Sequence, residues 1–276
     1  MGLRRKIAIA TWSSPREGNI YGKVILDARP VLEYIQRLRV ETGEHITLTH
    51  FITRVLALTL KEPIDLNGYI SFGRFIAHKT VDLSVVVALE GGKNLSMVKL
   101  KQVDELSVTD IAQRLNKRVN EVRSGQDKDM KQTMSTARWM PWFLLRPLLS
   151  LVGWLSGGLG LSIPSLGVRA FPFGAGIITN VGVFGVDEAF VPPTPFARVP
   201  LYLLVGTLRD APYVDDGEVK VRQEVTLTAT LDHRFVDGAQ AAVLARKLRE
   251  AFANPEQIDL NSSPRNQTKE KSKTIV

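Results

Sequence analysis

The chain of 276 residues contains no cysteine. Disulfides, zinc sites built on thiolates and a cysteine nucleophile are therefore excluded, and any reacting sulfur must come from a substrate. Histidine is also scarce, with four residues, and His45, His50 and His78 do not have the spacing of metal ligands. We accordingly expect no metal site.

Acidic residues are fewer than basic ones, 28 against 36, which gives a formal net charge of +8. Residues 262–276 hold four of the basic residues and one acidic residue, and we expect them to form a disordered basic tail. The other basic residues are scattered, without the compact stripe or interleaved aromatic side chains of nucleic-acid modules. We therefore do not expect nucleic-acid binding, and a local site for an anionic cofactor explains the basicity equally well.

A long apolar leader is missing near the amino terminus, where the run after Lys6 extends only from Ile7 to Ala10. This run is too short for a signal peptide, so we expect a cytoplasmic protein. With 44% hydrophobic residues, the chain can build a large core in one domain or in two closely packed ones.

Charged residues are absent from Pro147 to Val168, inside an apolar segment spanning about 136–172. Aromatic side chains cluster in and near it, namely Trp139, Trp142, Phe143 and Trp154. Its prolines and glycines would interrupt the helix of about 20 residues that a bilayer requires. Buried packing is the expected state, and a helical hairpin at an interface or membrane surface is the alternative.

Periodic patterns indicate a mixture of helices and strands. Helical spacing predicts helices over 28–42, 47–60, 108–122 and 238–253, and β-type patterns predict strands over 23–26, 79–88, 95–98, 174–183, 201–207 and 225–231. Asp27 is the expected cap of the first helix, and Ser107 or Thr109 that of the third. Asn67-Gly68, Gly73 and Asp215-Asp216-Gly217 are turn signals. The pattern predicts an α/β fold, an α+β-type sandwich with a mixed sheet flanked by helices.

The most informative block is Asp232–Gly238, where a strand gives way to a helix. Upstream, apolar residues alternate with threonines over 225–231, which indicates a strand with one buried face. Asp237 is the expected N-cap of the helix, with Gln240 completing a capping box. His233, at the strand end, can reach a substrate. Alone, a histidine four residues before an aspartate is weak evidence, since an aspartate before a helix is usually only a cap.

Five blocks occur in an order that carries a family resemblance: Arg4–Ala8, Ile46–Thr49, Leu66-Asn67, Ile178–Asp187 and Asp232–Gly238. Together they resemble the catalytic domain of the dihydrolipoamide acyltransferase component of 2-oxo-acid dehydrogenase complexes, which is similar to chloramphenicol acetyltransferase. The resemblance implies a chloramphenicol acetyltransferase-like fold over residues 1–261, interrupted by the apolar insertion at about 136–172.

The resemblance also implies roles for individual residues. His233 is the expected general base that takes a proton from a thiol, and Thr179 the hydroxyl that donates to the tetrahedral oxyanion. Asp237 is expected to orient the site, and Arg4, or Arg5 in its place, is a candidate ionic partner for it. Four further residues are expected to support the structure around the site: Asn180, which shapes the strand near Thr179, Gly238, and the flanking pair Asp232 and Arg234.

CoA or lipoamide thioesters are the substrates that the resemblance implies, and a homotrimer with a site between subunits is the implied assembly. Because the resemblance begins at residue 3, before which no lipoyl domain occurs, we expect a stand-alone acyltransferase without its own lipoyl group, served by separate lipoyl-carrier or 2-oxo-acid dehydrogenase proteins. Leu95–Val98 lacks the family's usual proline, which leaves the acceptor open. The alternative is a non-catalytic scaffold or membrane-surface protein built on the same fold, working through residues 136–172.

Overall fold

The computed structural model describes residues 18–62, 65–89, 94–123, 141–164 and 168–259. Arg4, Arg5, the rest of the block Arg4–Ala8 and the tail at 262–276 lie outside these described residues.

Within the ranges just given, six strands form one mixed sheet: β1 (Asn19–Asp27), β4 (Leu83–Leu89), β5 (Asn94–Leu100), β6 (Gly176–Asn180), β7 (Leu201–Asp215) and β8 (Glu218–Asp232). Their order across the sheet is β1-β8-β7-β6-β4-β5. β6 runs parallel to both β4 and β7, whereas the remaining neighbours are antiparallel. The short strands β2 (Gly68–Ser71) and β3 (Arg74–Ala77) form a separate hairpin. The mixed sheet predicted from the sequence is confirmed.

Five α-helices accompany the sheet in the described residues: α1 (Arg29–Thr42), α2 (Leu48–Thr59), α3 (Val108–Arg123), α4 (Trp142–Gly153) and α5 (Gly238–Ala253). The main core joins the apolar sides of α1, α2, α3 and α5 to one face of the sheet. Fully buried side chains such as Phe51, Ile111 and Leu201 lie in this layer. Removing so much apolar surface from water is the main force holding helices and sheet together.

The opposite face of the sheet is covered as well, which the sequence pattern did not reveal. A second apolar cluster joins Ile177 and Tyr202 to Ala197 and Val199 of the irregular segment 187–199. The three threonines of β8, predicted to face solvent, are at most 4% exposed, and the Thr228 hydroxyl donates a hydrogen bond to the Ala189 carbonyl. The prediction of one buried face was wrong because the segment 187–199 also covers this face, where the Thr228 hydroxyl finds its partner.

Two predicted helix caps are settled by hydrogen bonds. Ala28, not Asp27, is the N-cap of α1, and the Asp27 carboxylate instead accepts from the Arg29 backbone N–H at 3.0 Å. At α3, Ser107 is the capping residue rather than Thr109. The Ser107 hydroxyl accepts from the backbone N–H of Asp110 at 3.1 Å, and the Asp110 carboxylate accepts from that of Ser107 at 3.0 Å.

Two of the three turn signals are confirmed. Gly73 and Gly217 have positive φ angles of 75° and 80°, each in a tight hairpin turn. Gly68, in contrast, opens strand β2, where an added Cβ would lie 2.5 Å from the ring of Phe75. The glycine there permits close packing rather than a turn. The strand predicted from residue 79 also begins later, at Leu83.

The insertion forms a helix that is only partly buried, whereas the sequence predicted buried packing. Helix α4 continues through Pro147, which was expected to interrupt it, because this proline is exposed and the carbonyl that loses its helical partner can be hydrated. The helix passes into a π-helical turn at Trp154–Gly158. Leu145 is buried as predicted, but Leu144 and Leu151 are each 51% exposed. Within the described residues, no helix has the length and apolar character needed to cross a membrane.

Candidate active site

The turn after β8 is built rigidly around His233. Arg234 makes a bidentate ion pair with Asp232, with nitrogen–oxygen distances of 2.9 and 2.5 Å, and its backbone N–H bonds to the same carboxylate. Phe235 and Val236 are buried, and the Phe235 ring packs edge-on against Phe75 of the β2–β3 hairpin. The salt bridge and the two apolar anchors fix the turn while His233 stays exposed.

The His233 ring is held in one tautomer. Its Nδ1 lies 2.8 Å from the carbonyl oxygen of Val236. A carbonyl can only accept a hydrogen bond, so Nδ1 carries the hydrogen of the neutral imidazole and Nε2 keeps a lone pair. The backbone N–H of His233 donates to the carbonyl of Gly18 at 3.2 Å. This bond ties the turn to the residue just before β1, the strand that pairs with β8. This arrangement presents Nε2 as a proton acceptor.

Asp237 is the N-cap of α5, as predicted. Its carboxylate accepts from the backbone N–H groups of Ala239 at 2.8 Å and Gln240 at 3.4 Å, and the Gln240 side chain accepts from the backbone N–H of Asp237 at 2.7 Å. Gly238 begins the helix directly behind this cap. Since Asp237 follows Val236, the cap also fixes the carbonyl that orients His233.

Thr179 and Asn180 occupy the end of β6. Asn180 donates to the Thr49 hydroxyl of α2 at 3.0 Å and accepts from the backbone N–H of Gly182 at 2.9 Å, so it anchors the strand end to the helical layer. By alternation along β6, Thr179 faces the opposite side, the side that carries Ile177 and the segment 187–199. Its side chain is partly exposed.

The chain crosses itself closely just after Thr179. A Cβ on Gly182 would lie 2.4 Å from the carbonyl oxygen of Gly206, and one on Gly206 would lie 2.0 Å from that of Asp187. Any larger residue at either glycine would push these backbones apart. The two glycines therefore fix the path of the chain beside Thr179.

One chain does not bring His233 and Thr179 together. In the sheet register, Thr179 lies opposite Leu204, which lies opposite Thr228, five residues before His233. With a rise of about 3.3 Å per residue and about 4.8 Å between strands, the two side chains are separated by about 15–20 Å. A site that uses both must combine different copies of the chain.

The other histidines have structural surroundings. His50 is buried and its Nδ1 accepts from the Thr47 backbone N–H at 3.1 Å, closing a capping box at the start of α2. Burial lowers the pKa of His50 to about 4, with smaller contributions from His45 and Arg39. Burial also lowers the pKa of His78, which stacks on Tyr69. Among the described residues, no three His, Asp or Glu side chains gather as a metal site would require.

Three groups that shape this geometry were not predicted from the sequence. The Val236 carbonyl orients His233, but a backbone group leaves no signal in residue type. Thr49 belongs to a block that carries the family resemblance, yet its partner Asn180 is 131 residues away. Gly206, inside a strand pattern, was the readable signal, because an isolated glycine there often marks a close backbone approach.

The fold matches solved acyltransferase structures. A probable dihydrolipoamide acetyltransferase from Listeria monocytogenes superposes with a TM-score of 0.65, at 20% identity over 95% of this chain and 92% of that one. A dihydrolipoamide acetyltransferase from Azotobacter vinelandii gives 0.64, at 17% identity over 94% and 88% of the two chains. These likenesses establish the fold, a mixed sheet flanked by helices, as predicted.

The sequence places the chain in a family. Residues 2–137 and 172–260 match the model described as 2-oxoacid dehydrogenases acyltransferase (catalytic domain), and the chain belongs to that family. The predicted family, one described as acyltransferases, is confirmed. The dihydrolipoyllysine-residue acetyltransferase component of the acetoin cleaving system of Bacillus subtilis is 28% identical over 219 residues, covering 77% of this chain and 43% of the relative. The chain spans about two fifths of the length of the curated relatives it matches.

Proposed function

We propose that this chain transfers an acyl group between a CoA or lipoamide thioester and a thiol or other acceptor, with His233 as general base and Thr179 of a neighbouring subunit as oxyanion donor. The observation that carries the proposal is the 2.8 Å contact between His233 Nδ1 and the Val236 carbonyl, which leaves Nε2 available. Family membership supports the reaction type. Relatives named acetyltransferases and succinyltransferases leave the acyl group open.

The proposed reaction needs one base and one oxyanion donor. His233 Nε2 removes the proton from the acceptor thiol, and the sulfur attacks the thioester carbonyl carbon. The Thr179 hydroxyl donates a hydrogen bond to the oxyanion that forms. As the tetrahedral intermediate collapses, the carbon–sulfur bond of the original thioester breaks. The imidazolium then returns its proton to the departing thiolate.

The Azotobacter vinelandii relative supports these assignments. Its structure is described as an investigation of a serine, a histidine and an asparagine in the catalytic mechanism, the asparagine lying four residues after the histidine. Here Asp237 lies four residues after His233, and Thr179 precedes His233 by a separation close to that of the relative's serine. We propose that Thr179 replaces the serine hydroxyl and that Asp237 fills the third position.

The separation of His233 and Thr179 within one chain supports an assembly in which subunits share the site. A structure described as the cubic core of the pyruvate dehydrogenase multienzyme complex has a TM-score of 0.65 at 17% identity. We propose a homotrimer, in which each of three sites lies between adjacent chains. The stand-alone character, a separate lipoyl-carrier partner and the cytoplasmic location stay predictions.

The proposal is tested by assaying the purified protein with acetyl-, succinyl- and branched-chain acyl-CoA and free dihydrolipoamide. His233→Ala should lower kcat at least about 100-fold, whereas His45→Ala, which removes an exposed histidine elsewhere, should leave kcat unchanged. Thr179→Val should lower kcat about 100-fold or more, and Thr179→Ser should keep most of it. Undiminished transfer by His233→Ala would overturn the mechanism. Absence of transfer with every acyl-CoA would favour the non-catalytic alternative.

A further inference from the structure

The insertion lies outside the part of the chain that the family model matches. The family model matches residues 2–137 and resumes at 172, so residues 138–171 lie outside the family pattern. Helix α4 and the π-helical turn fall inside this gap. Whatever they do goes beyond the acyltransferase fold itself.

The insertion is firmly attached to the domain. Gly153 lies so close to the Phe196 backbone that an added Cβ would come within 2.4 Å of its carbonyl oxygen, and Gly157 packs against Arg198. The Phe171 backbone N–H donates to the Ser156 carbonyl at 3.1 Å, and Lys99 of β5 donates to the Phe171 carbonyl at 2.7 Å. These contacts fix which side of α4 faces inward and which faces outward.

The outward side of α4 is apolar. Leu144, Leu148 and Leu151 follow the i, i+4, i+7 spacing of one helix face and are 51%, 39% and 51% exposed. Phe143 and Trp154, also exposed, extend this surface at its two ends. A helix on a protein surface ordinarily places polar residues outward, so a large exposed apolar face indicates a binding surface. We call these five residues the α4 face.

The charges close to the α4 face in sequence have one sign. The sequence contains no aspartate or glutamate from residue 130 to residue 186. Arg146, beside the α4 face on the helix, and Arg169, after it in the chain, are both exposed. An aromatic and leucine-rich face bordered by arginine is typical of helices that lie in a membrane interface, where arginine reaches the anionic headgroups.

We propose that the α4 face docks the enzyme on an anionic lipid bilayer, with α4 lying in the plane of the interface. The one-signed charge favours acidic phospholipid over a neutral bilayer and over a second copy of this basic chain. Since no described helix can cross a membrane, docking is peripheral. The apolar side chains enter the headgroup boundary, and Arg146 contacts phosphate.

Co-sedimentation of the full chain with vesicles tests the proposal. The wild-type chain should bind vesicles of phosphatidylcholine with phosphatidylglycerol at least about tenfold more strongly than phosphatidylcholine alone, and added salt should weaken this preference. Leu148→Glu and Leu151→Glu should each lower binding about tenfold. Val40→Glu is the matched control, because Val40 is an exposed valine of α1 that receives the same charge, and it should bind like wild type.

Charge is tested separately by Arg146→Gln, which should reduce binding to anionic vesicles, while Arg249→Gln on α5 should not. Circular dichroism and thermal unfolding of every variant check that the fold is intact. The proposal would be overturned if the wild-type protein did not bind anionic vesicles, or if Leu148→Glu bound them as well as wild type does. A lower particle mass of the leucine variants without lipid would instead identify the α4 face as a contact between copies.

Discussion

At the scale of residues, the site rests on a single oriented imidazole. The sequence predicted His233 because a histidine between a strand and a capped helix is exposed on a fixed turn. It could not predict the tautomer, which depends on the Val236 carbonyl at 2.8 Å. Nor could it show that His50 is a capping residue, since the pattern Thr47-x-x-His50 replaces the glutamate or glutamine of the usual capping box.

His50 makes a prediction about acid stability. Its pKa in the folded protein, about 4, lies below the ordinary value of 6.5, so the unfolded chain binds more protons between these values. Folding stability should therefore decrease as the pH falls from 6.5 to 4, by up to about 3 kcal/mol from this residue. His50→Gln should keep the capping box without titrating, so the His50 part of this loss should disappear.

Urea unfolding at several pH values measures this effect. His45→Gln, which removes only a smaller cause of the lowered His50 pKa, should keep most of the loss. If wild type and His50→Gln lose the same stability on acidification, the assigned role of His50 is incorrect.

At the scale of elements, the N-terminus of α5 has two roles. Its cap stabilises the helix and also holds the turn that orients His233. The cap was readable in the sequence because Asp237 and Gln240 have capping-box spacing, and the structure confirms it. The covered second face of the sheet was not readable, because threonines at 226, 228 and 230 look the same in a strand facing water and in one facing a loop. Only the fold places segment 187–199 over them.

Substitution at Asp237 separates a capping role from a charge role. Asp237→Asn should retain the cap, because asparagine caps helices as well as aspartate does. The free energy of unfolding should then stay close to that of wild type, and kcat within about twofold. Asp237→Ala should cost about 1 kcal/mol of stability and lower kcat about tenfold by loosening the turn that positions His233. Both are measured by urea unfolding and steady-state kinetics. An asparagine variant as impaired as the alanine variant would point to the carboxylate charge, as in the predicted pair with Arg4.

At the scale of the whole molecule, Arg54 joins parts of the chain that are distant in sequence. Its side chain, 1% exposed, donates to the carbonyls of Asp104 at 2.8 Å and Ile258 at 3.1 Å and pairs with Asp259 at 3.3 Å. The Asp259 carboxylate also accepts from the Tyr34 hydroxyl at 2.8 Å. This network could not be predicted from the sequence, because an arginine within a helical pattern is normally exposed.

Removing this buried cation should destabilise the whole domain. Arg54→Met should lower the free energy of unfolding by about 3–5 kcal/mol, since it removes the cation paired with Asp259 and the donor to several buried carbonyls. Arg114→Met, at an exposed position of α3, should change stability by less than about 0.5 kcal/mol. Chemical denaturation measures both, and equal stability of the two variants would show that the network contributes little.

The central claim is that His233 of one chain acts with Thr179 of another, which mixed assemblies test most directly. Co-expressed His233→Ala and Thr179→Val chains, carrying different tags and purified through both, should form mixed trimers in which about a third of the interfaces join two intact residues. The account predicts that these trimers regain acyl transfer well above either parent. Mixed trimers no more active than the parents would contradict a site shared between subunits.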